Sequence, residues 1–177
     1  MMKVLLVGHP NVGKSVIFNR LTGANVSESN YPGTTVDYTK GYMRLDGEDV
    51  EIIDIPGTFS LEPKDRAEEV ALNMLEENKD SVVVCVVDST RIERGLYLTL
   101  EVMEKGYPVV IALNMWDVAE KKNIQIDVKR LEQILGVPVV PTVAISGEGV
   151  KKLVSEIKRA SPVEIERMAE RAMVGES

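Results

Sequence analysis

The stretch Gly8-His9-Pro10-Asn11-Val12-Gly13-Lys14-Ser15 constrains this chain more than any other. It fits G-x-x-x-x-G-K-[ST], preceded by the short apolar run Lys3 to Val7 and followed by the helix-like Ser15 to Leu21. A strand before and a helix after is the setting such a loop requires. The glycines let the backbone curl so that successive N–H groups point inward at phosphate oxygens. The Lys14 ammonium places a positive charge against the β- and γ-phosphates. The Ser15 hydroxyl suits Mg²⁺, which prefers hard oxygen ligands. Gly8, Asn11, Val12, Gly13, Lys14, Ser15 and Val16 are therefore expected to line a nucleotide's phosphates.

The remaining sequence supplies a sheet for that loop. Val82 to Val87, Val109 to Leu113 and Val137 to Val140 are short runs rich in Val and Ile, suited to strands buried on both faces. Helix-like segments alternate with them, about Asp65 to Glu77, Leu96 to Lys105, Val128 to Leu135 and Val150 to Arg159. In the last, Val150, Leu153, Val154 and Ile157 share one face. Gly41 to Leu45 and Val50 to Ile55 flank Asp46-Gly47, a hairpin signal. The pattern predicts an α/β fold over residues 1–160: a mostly parallel six-stranded sheet with one antiparallel strand and helices on both faces. Beyond it, Ser161-Pro162 reads as an N-cap with Pro at the first helical position. Ile165, Met168, Ala169, Ala172 and Met173 then form a second amphipathic stripe. Residues 161–177 are either a last helix docked on the domain or the start of a further helical domain.

Composition narrows the setting. The 177 residues carry a net charge of −7 and are 44% hydrophobic, which excludes the disordered classes. The longest uninterrupted apolar run, Val82 to Val87, is far short of the roughly 20 residues a bilayer span needs. The opening residues lack the charged head and cleavage site of a signal peptide. The one cysteine, Cys85, has no internal partner and fits a reducing compartment. The acidic balance weighs against general nucleic-acid binding.

Three further motifs follow the phosphate loop. Asn114-Met115-Trp116-Asp117 comes after the run Val109 to Leu113. The Asp117 carboxylate can accept hydrogen bonds from guanine N1–H and the exocyclic amine, which adenine does not offer. The Asn114 amide can reach N7 and tie this loop to the phosphate loop. A turn capped by Asn and Asp is the plainer reading of that motif taken alone. Asp54-Ile55-Pro56-Gly57 ends the second hairpin strand, where the carboxylate can hold a Mg²⁺ water and the Gly57 N–H can meet a γ-phosphate. Ser29 to Thr35 lies between the first helix and the hairpin. A Thr there can close on Mg²⁺ only when the third phosphate is present; the plainer reading is a loop leading into a strand.

The order of these four motifs resembles the small Ras-like GTPases, in their translation-factor-related branch. The phrases Asn30-Tyr31-Pro32-Gly33-Thr34-Thr35-Val36, Asp54 to Leu61, Leu96 to Leu100 and Ala112 to Asp117 are similar to the G domain of the prokaryotic ferrous iron transport protein B (FeoB) family, over about residues 1–160. The resemblance implies a Ras-like P-loop GTPase fold that binds GTP or GDP with Mg²⁺. It implies Ser15 and Thr35 as magnesium ligands, Asp54 acting through water, and Thr34, Thr35 and Gly57 near the phosphates. Asn114, Met115, Asp117, Val143, Ala144 and Ile145 would surround the base, with the Ala144 N–H serving O6. Met115 stands where the family pattern usually has Lys, and Val143 where it usually has Ser. Asn11 would help hold K⁺, and Lys14, Asn11, Thr35 and Gly57 form the expected catalytic group.

Ras-like proteins often orient the attacking water with a Gln after Asp-x-x-Gly. Here Thr58 and Phe59 follow, so slow intrinsic hydrolysis is expected, with Thr58 not acting as a base. His9, the only histidine, reads as a loop filler, and no Fe²⁺ ligand spacing is evident. The leading expectation is a regulatory GTPase domain at the cytoplasmic face of a membrane transporter. Its partners would be the helical and transmembrane regions of the same protein, with self-association open and no nucleic acid. The alternatives are a stand-alone GTPase of ribosome assembly or tRNA modification, and a nucleotide sensor with little turnover.

Overall fold

Alternation along the strands decides which side chain joins which layer. In the computed structural model, which describes residues 1–23 and 25–174, β1 (Lys3–Gly8) sits mid-sheet. Leu5 and Val7 point to one face, Val4 and Leu6 to the other, as the two-residue period of a strand dictates. The strands β5 (Val82–Asp88) and β6 (Val109–Asn114) repeat this split, with Val83, Cys85 and Val87 opposite Val82, Val84 and Val86. Their apolar residues serve two cores, which is why these strands read as unbroken apolar runs.

The sheet order is β2-β3-β4-β1-β5-β6-β7, with β4 (Glu48–Asp54) and β7 (Val139–Pro141) parallel to their inner neighbours. The strand β3 (Asp37–Leu45) is antiparallel to β4. Asp46 and Gly47 between them have φ of 53° and 81°, the left-handed pair of a type I′ hairpin turn. Helices α1 (Lys14–Leu21) and α6 (Val150–Ile157) cover one face. Helices α2 (Arg66–Glu76), α3 (Ile92–Glu104) and α5 (Val128–Leu135) cover the other. Asp65 caps α2 by accepting from the Glu68 N–H at 2.8 Å, and Asp127 caps α5 through Arg130 N–H at 3.0 Å, each a contribution of about 1 kcal/mol.

Four features differ from the expectation. The sheet has a seventh strand, β2 (Ser27–Asn30), antiparallel to β3. All four of its residues are exposed and polar, so backbone pairing to β3 makes it a strand, without any apolar pattern. The helix expected from Leu96 begins at Ile92 and runs through Gly95, where a Cβ would lie 2.4 Å from Val87 Cγ1. Glycine here permits close helix–strand packing rather than marking a boundary. A short helix, α4 (Trp116–Lys121), follows Met115. Ser161-Pro162 starts no helix: a 3-10 turn at Ile165–Arg167 precedes α7 (Met168–Met173). Val163, Ile165 and Met168 pack on the core, and Arg171 Nε donates to the Ile134 carbonyl at 2.9 Å. Residues 165–173 thus lie against α5, while 175–177 fall outside the described residues. No helix among the described residues is long and apolar enough to cross a membrane.

Candidate functional site

The phosphate loop hangs from the C-terminal end of β1, in the crevice where open α/β sheets bind ligands. Asn11 and Gly13 adopt φ of 65° and 86°, so the loop turns through the left-handed region twice. Gly13 has no room for a side chain, since a Cβ would sit 2.2 Å from Asn114 Nδ2. The left-handed Asn11 also meets the plainer reason for an Asn there, a residue that tolerates this conformation. A cavity of about 380 Å³ opens over the loop, lined by His9, Pro10, Asn11, Gly13, Lys14, Ser15 and Gly57. Val16 is half-buried on α1 and packs into the core beneath it.

Gly57 presses against Pro10, a Cβ there meeting Pro10 atoms at 3.1 Å. The next N–H, of Thr58, donates to the Gly8 carbonyl at 3.0 Å. Lys14 is turned to the same side. Its ammonium pairs with the Asp54 carboxylate and donates to the Ile55 carbonyl at 2.6 Å. The expected magnesium carboxylate therefore has a lysine partner. The Thr58 hydroxyl is buried, 2.8 Å from Glu68 Oε2 and 2.7 Å from the Ser60 carbonyl. Glu68 also accepts from the N–H groups of Phe59 and Lys64. The Phe59 N–H, more than any other group, holds the Glu68 carboxyl below its ordinary range. Glu101 accepts from Ser60 Oγ at 3.0 Å and Leu61 N–H at 3.1 Å. His9 packs against Phe59 with the rings tilted and their centroids 5.1 Å apart, and burial lowers its pKa, leaving it neutral at pH 7.

The threonine loop is folded apart from this cradle. Tyr31-Pro32-Gly33-Thr34 forms a type II turn, with Gly33 at φ 78° and the Thr34 N–H donating to the Tyr31 carbonyl at 3.0 Å. Thr34 Oγ1 caps its own turn, donating to the same carbonyl at 2.8 Å. Thr35 is exposed and does not line the phosphate cavity. The Tyr31 hydroxyl donates to Glu77 at the end of α2. Of the two threonines, Thr35 is the one whose hydroxyl is not used locally.

At the base side, Asn114 joins three segments. Its Nδ2 donates to the Val12 carbonyl at 3.0 Å, and its Oδ1 accepts from Thr142 Oγ1 and from the Ala144 N–H, both at 3.1 Å. The Ala144 N–H expected at the base thus donates to Asn114 in this structure. Met115 has φ 59°, which costs a non-glycine residue about 1 kcal/mol or more and swings Asp117 into the first turn of α4. Val143 is buried and paired with Glu148, and Ile145 is exposed. Sequence reasoning missed Thr142, Glu68, Glu101, Arg20 and Ser89, whose hydroxyl donates to the Asn114 carbonyl at 2.6 Å. Only Thr142 carried a signal, as a hydroxyl beside the Val143-Ala144 turn.

Comparison with known proteins decides the family. The model of ferrous iron transport protein B, N-terminal part, matches residues 2–157. This chain belongs to the FeoB family. A FeoA–FeoB fusion protein of Porphyromonas gingivalis is 46% identical over 153 residues, 86% of this chain. The FeoB transporter of Escherichia coli K12 is 39% identical over 158 residues. The chain spans only 18–20% of these relatives' length. Among solved structures, the G domain of the T. maritima FeoB iron transporter is 39% identical, with TM-score 0.83 over 90% of this chain and 98% of that one. The GDP form of the T. maritima cytosolic domain has TM-score 0.85 and also 39% identity, with 63% of that chain covered. The family model's match stops at residue 157, where α6 ends.

Proposed function

We propose that this chain is the GTP-binding and GTP-hydrolysing G domain that regulates a ferrous iron membrane transporter from its cytoplasmic face. The observation that carries the reading is the Asn114 side chain, which links the phosphate loop at Val12 to the Thr142–Ala144 turn. A phosphate cradle and a base-reading loop are thereby held at a fixed separation. Asp117 supplies the acceptor for guanine N1–H and the amine. FeoB cytosolic domains have been solved in GDP and GMPPNP forms, which supports the same ligand here.

Ser15, Thr35 and Asp54 offer two hydroxyls and a carboxylate, hard oxygens that fit Mg²⁺; the ion would neutralise phosphate charge. Asp54 must first release Lys14, and Lys14 would then face the phosphates. Asn11 is proposed to hold K⁺ beside them, stabilising transition-state charge as an arginine would. With the Thr58 hydroxyl engaged by Glu68 and Ser60, no side chain directly after Gly57 is free to orient water, which supports slow intrinsic turnover. The helical and transmembrane parts of the whole transporter are the proposed partners, with no role for nucleic acid.

Binding of GTP and ATP to wild type and Asp117→Ala in KCl tests the reading. GTP should bind far more tightly than ATP, and Asp117→Ala should weaken GTP roughly a hundredfold, as for two hydrogen bonds to a charged group. ATP binding as tight as GTP overturns it. Hydrolysis should run faster in KCl than in NaCl, and equal rates remove the potassium proposal.

A further inference from the structure

We propose that Arg20, at the end of α1, is a positioning residue for nucleotide retention: its guanidinium clamps the Val143–Ser146 turn in the form that meets the base. The inference rests on the guanine-binding reading above and adds a residue that none of the motifs contains.

Arg20 lies 124 residues from the turn in sequence, yet its Nε donates to the Ala144 carbonyl at 2.8 Å. Its Nη2 donates to the adjacent Ile145 carbonyl. One planar fork thus holds two successive carbonyls, a task suited to guanidinium and not to an ammonium. The same plane lies over Gly147, where a Cβ would stand 3.4 Å from Nη1. Asn114 Oδ1 meanwhile holds the Ala144 N–H from the other side. Ala144 is therefore gripped at both its backbone groups, by Asn114 and by Arg20.

The consequence follows from peptide planarity. Across a trans peptide the C=O of one residue and the N–H of the next point in opposite directions. Fixing the Ala144 carbonyl outward on Arg20 turns the Ile145 N–H away from Arg20. The turn needs this help. Besides the Val143–Glu148 bridge it has short-range bonds from the Ser146 and Gly147 N–H groups to the Val143 carbonyl, at 3.1 and 2.9 Å, and from Gly147 N–H to the Ala144 carbonyl at 3.2 Å, while Gly147 and Gly149 have φ of 86° and 82°. Without the clamp the Ile145 carbonyl loses its partner, the Ala144 carbonyl keeps only the Gly147 N–H at 3.2 Å, and the peptide planes there turn more freely. A base-facing N–H would then be ordered only on binding, and release would accelerate.

A plainer role for Arg20 is to place positive charge at the C-terminus of α1. Release of a fluorescent GDP, chased with excess GDP, separates the two in wild type, Arg20→Ala and Arg20→Lys. Arg20→Ala should release GDP roughly tenfold faster, the loss of charge-assisted hydrogen bonds, with kcat at saturating GTP unchanged and KM raised. Arg20→Lys keeps the helix-end charge but reaches one carbonyl, and should fall between. If Arg20→Ala does not fold, Arg20→Lys carries the same expectation of faster release. Release within twofold of wild type in the variants that fold overturns the clamp. So does a fall in kcat with release unchanged. A wild type that does not bind GDP at all overturns the guanine reading itself.

Discussion

At the scale of single residues, the loop after Gly57 is held by two carboxylates that no motif anticipates. Glu68 is 6% exposed and receives the Phe59 and Lys64 N–H groups beside the Thr58 hydroxyl. Its carboxyl is held below the ordinary value of 4.5, chiefly by the Phe59 N–H, against an opposing desolvation. A folded pKa below the unfolded one gives stability that is complete above about 4.5 and lost as the pH falls through the lower folded value. Chemical unfolding of wild type and Glu68→Gln should differ by about 1–3 kcal/mol at pH 7, with the gap narrowing at pH 3. A gap of equal size at both pH values argues against the ionised clamp. The phosphate-loop residues were legible because their spacing is local. Glu68 and Arg20 were not, because ordinary charged helix residues reveal their partners only after folding. Cys85, read from the sequence as unpaired, is buried, which pushes its thiol up to about 12, so no thiolate forms at neutral pH.

At the scale of elements, the sequence told strands from helices where apolar patterning was strong. β5, β6 and α5 fall where the sequence places them, and Leu153 and Ile157 of the predicted α6 face are buried. One misjudged element was the start of α3, expected at Leu96 and found at Ile92, so that Gly95 lies inside the helix. Its role is to let α3 approach β5. Gly95→Ala should destabilise by about 1–2 kcal/mol net, overpacking of Val87 outweighing the roughly 1 kcal/mol gained in propensity. Adding Val87→Ala should remove that penalty in a double-mutant cycle. Additive effects would mean that the contact does not govern the packing. The edge strand β2 was illegible for a different reason: its four exposed residues carry no pattern, and β3 supplies the pairing.

For the whole molecule, the question is whether residues 1–160 stand alone. The segment after Ala160 adds Val163, Ile165 and Met168 to one core, and Arg130 Nη2 donates to the Ala172 carbonyl at 2.7 Å. We expect a chain ending at Ala160 to keep its fold and its GDP affinity within twofold. Losing these few partly buried side chains should cost about 1–3 kcal/mol, a fall in Tm of several degrees at this size. Lost nucleotide binding would place residues 161–174 inside the G domain rather than after it. The Lys14–Asp54 pair joins the phosphate loop to the end of β4. Any anion that draws Lys14 to itself competes with that carboxylate. The lysine therefore contributes to binding only the difference between two anionic partners, not its whole charge.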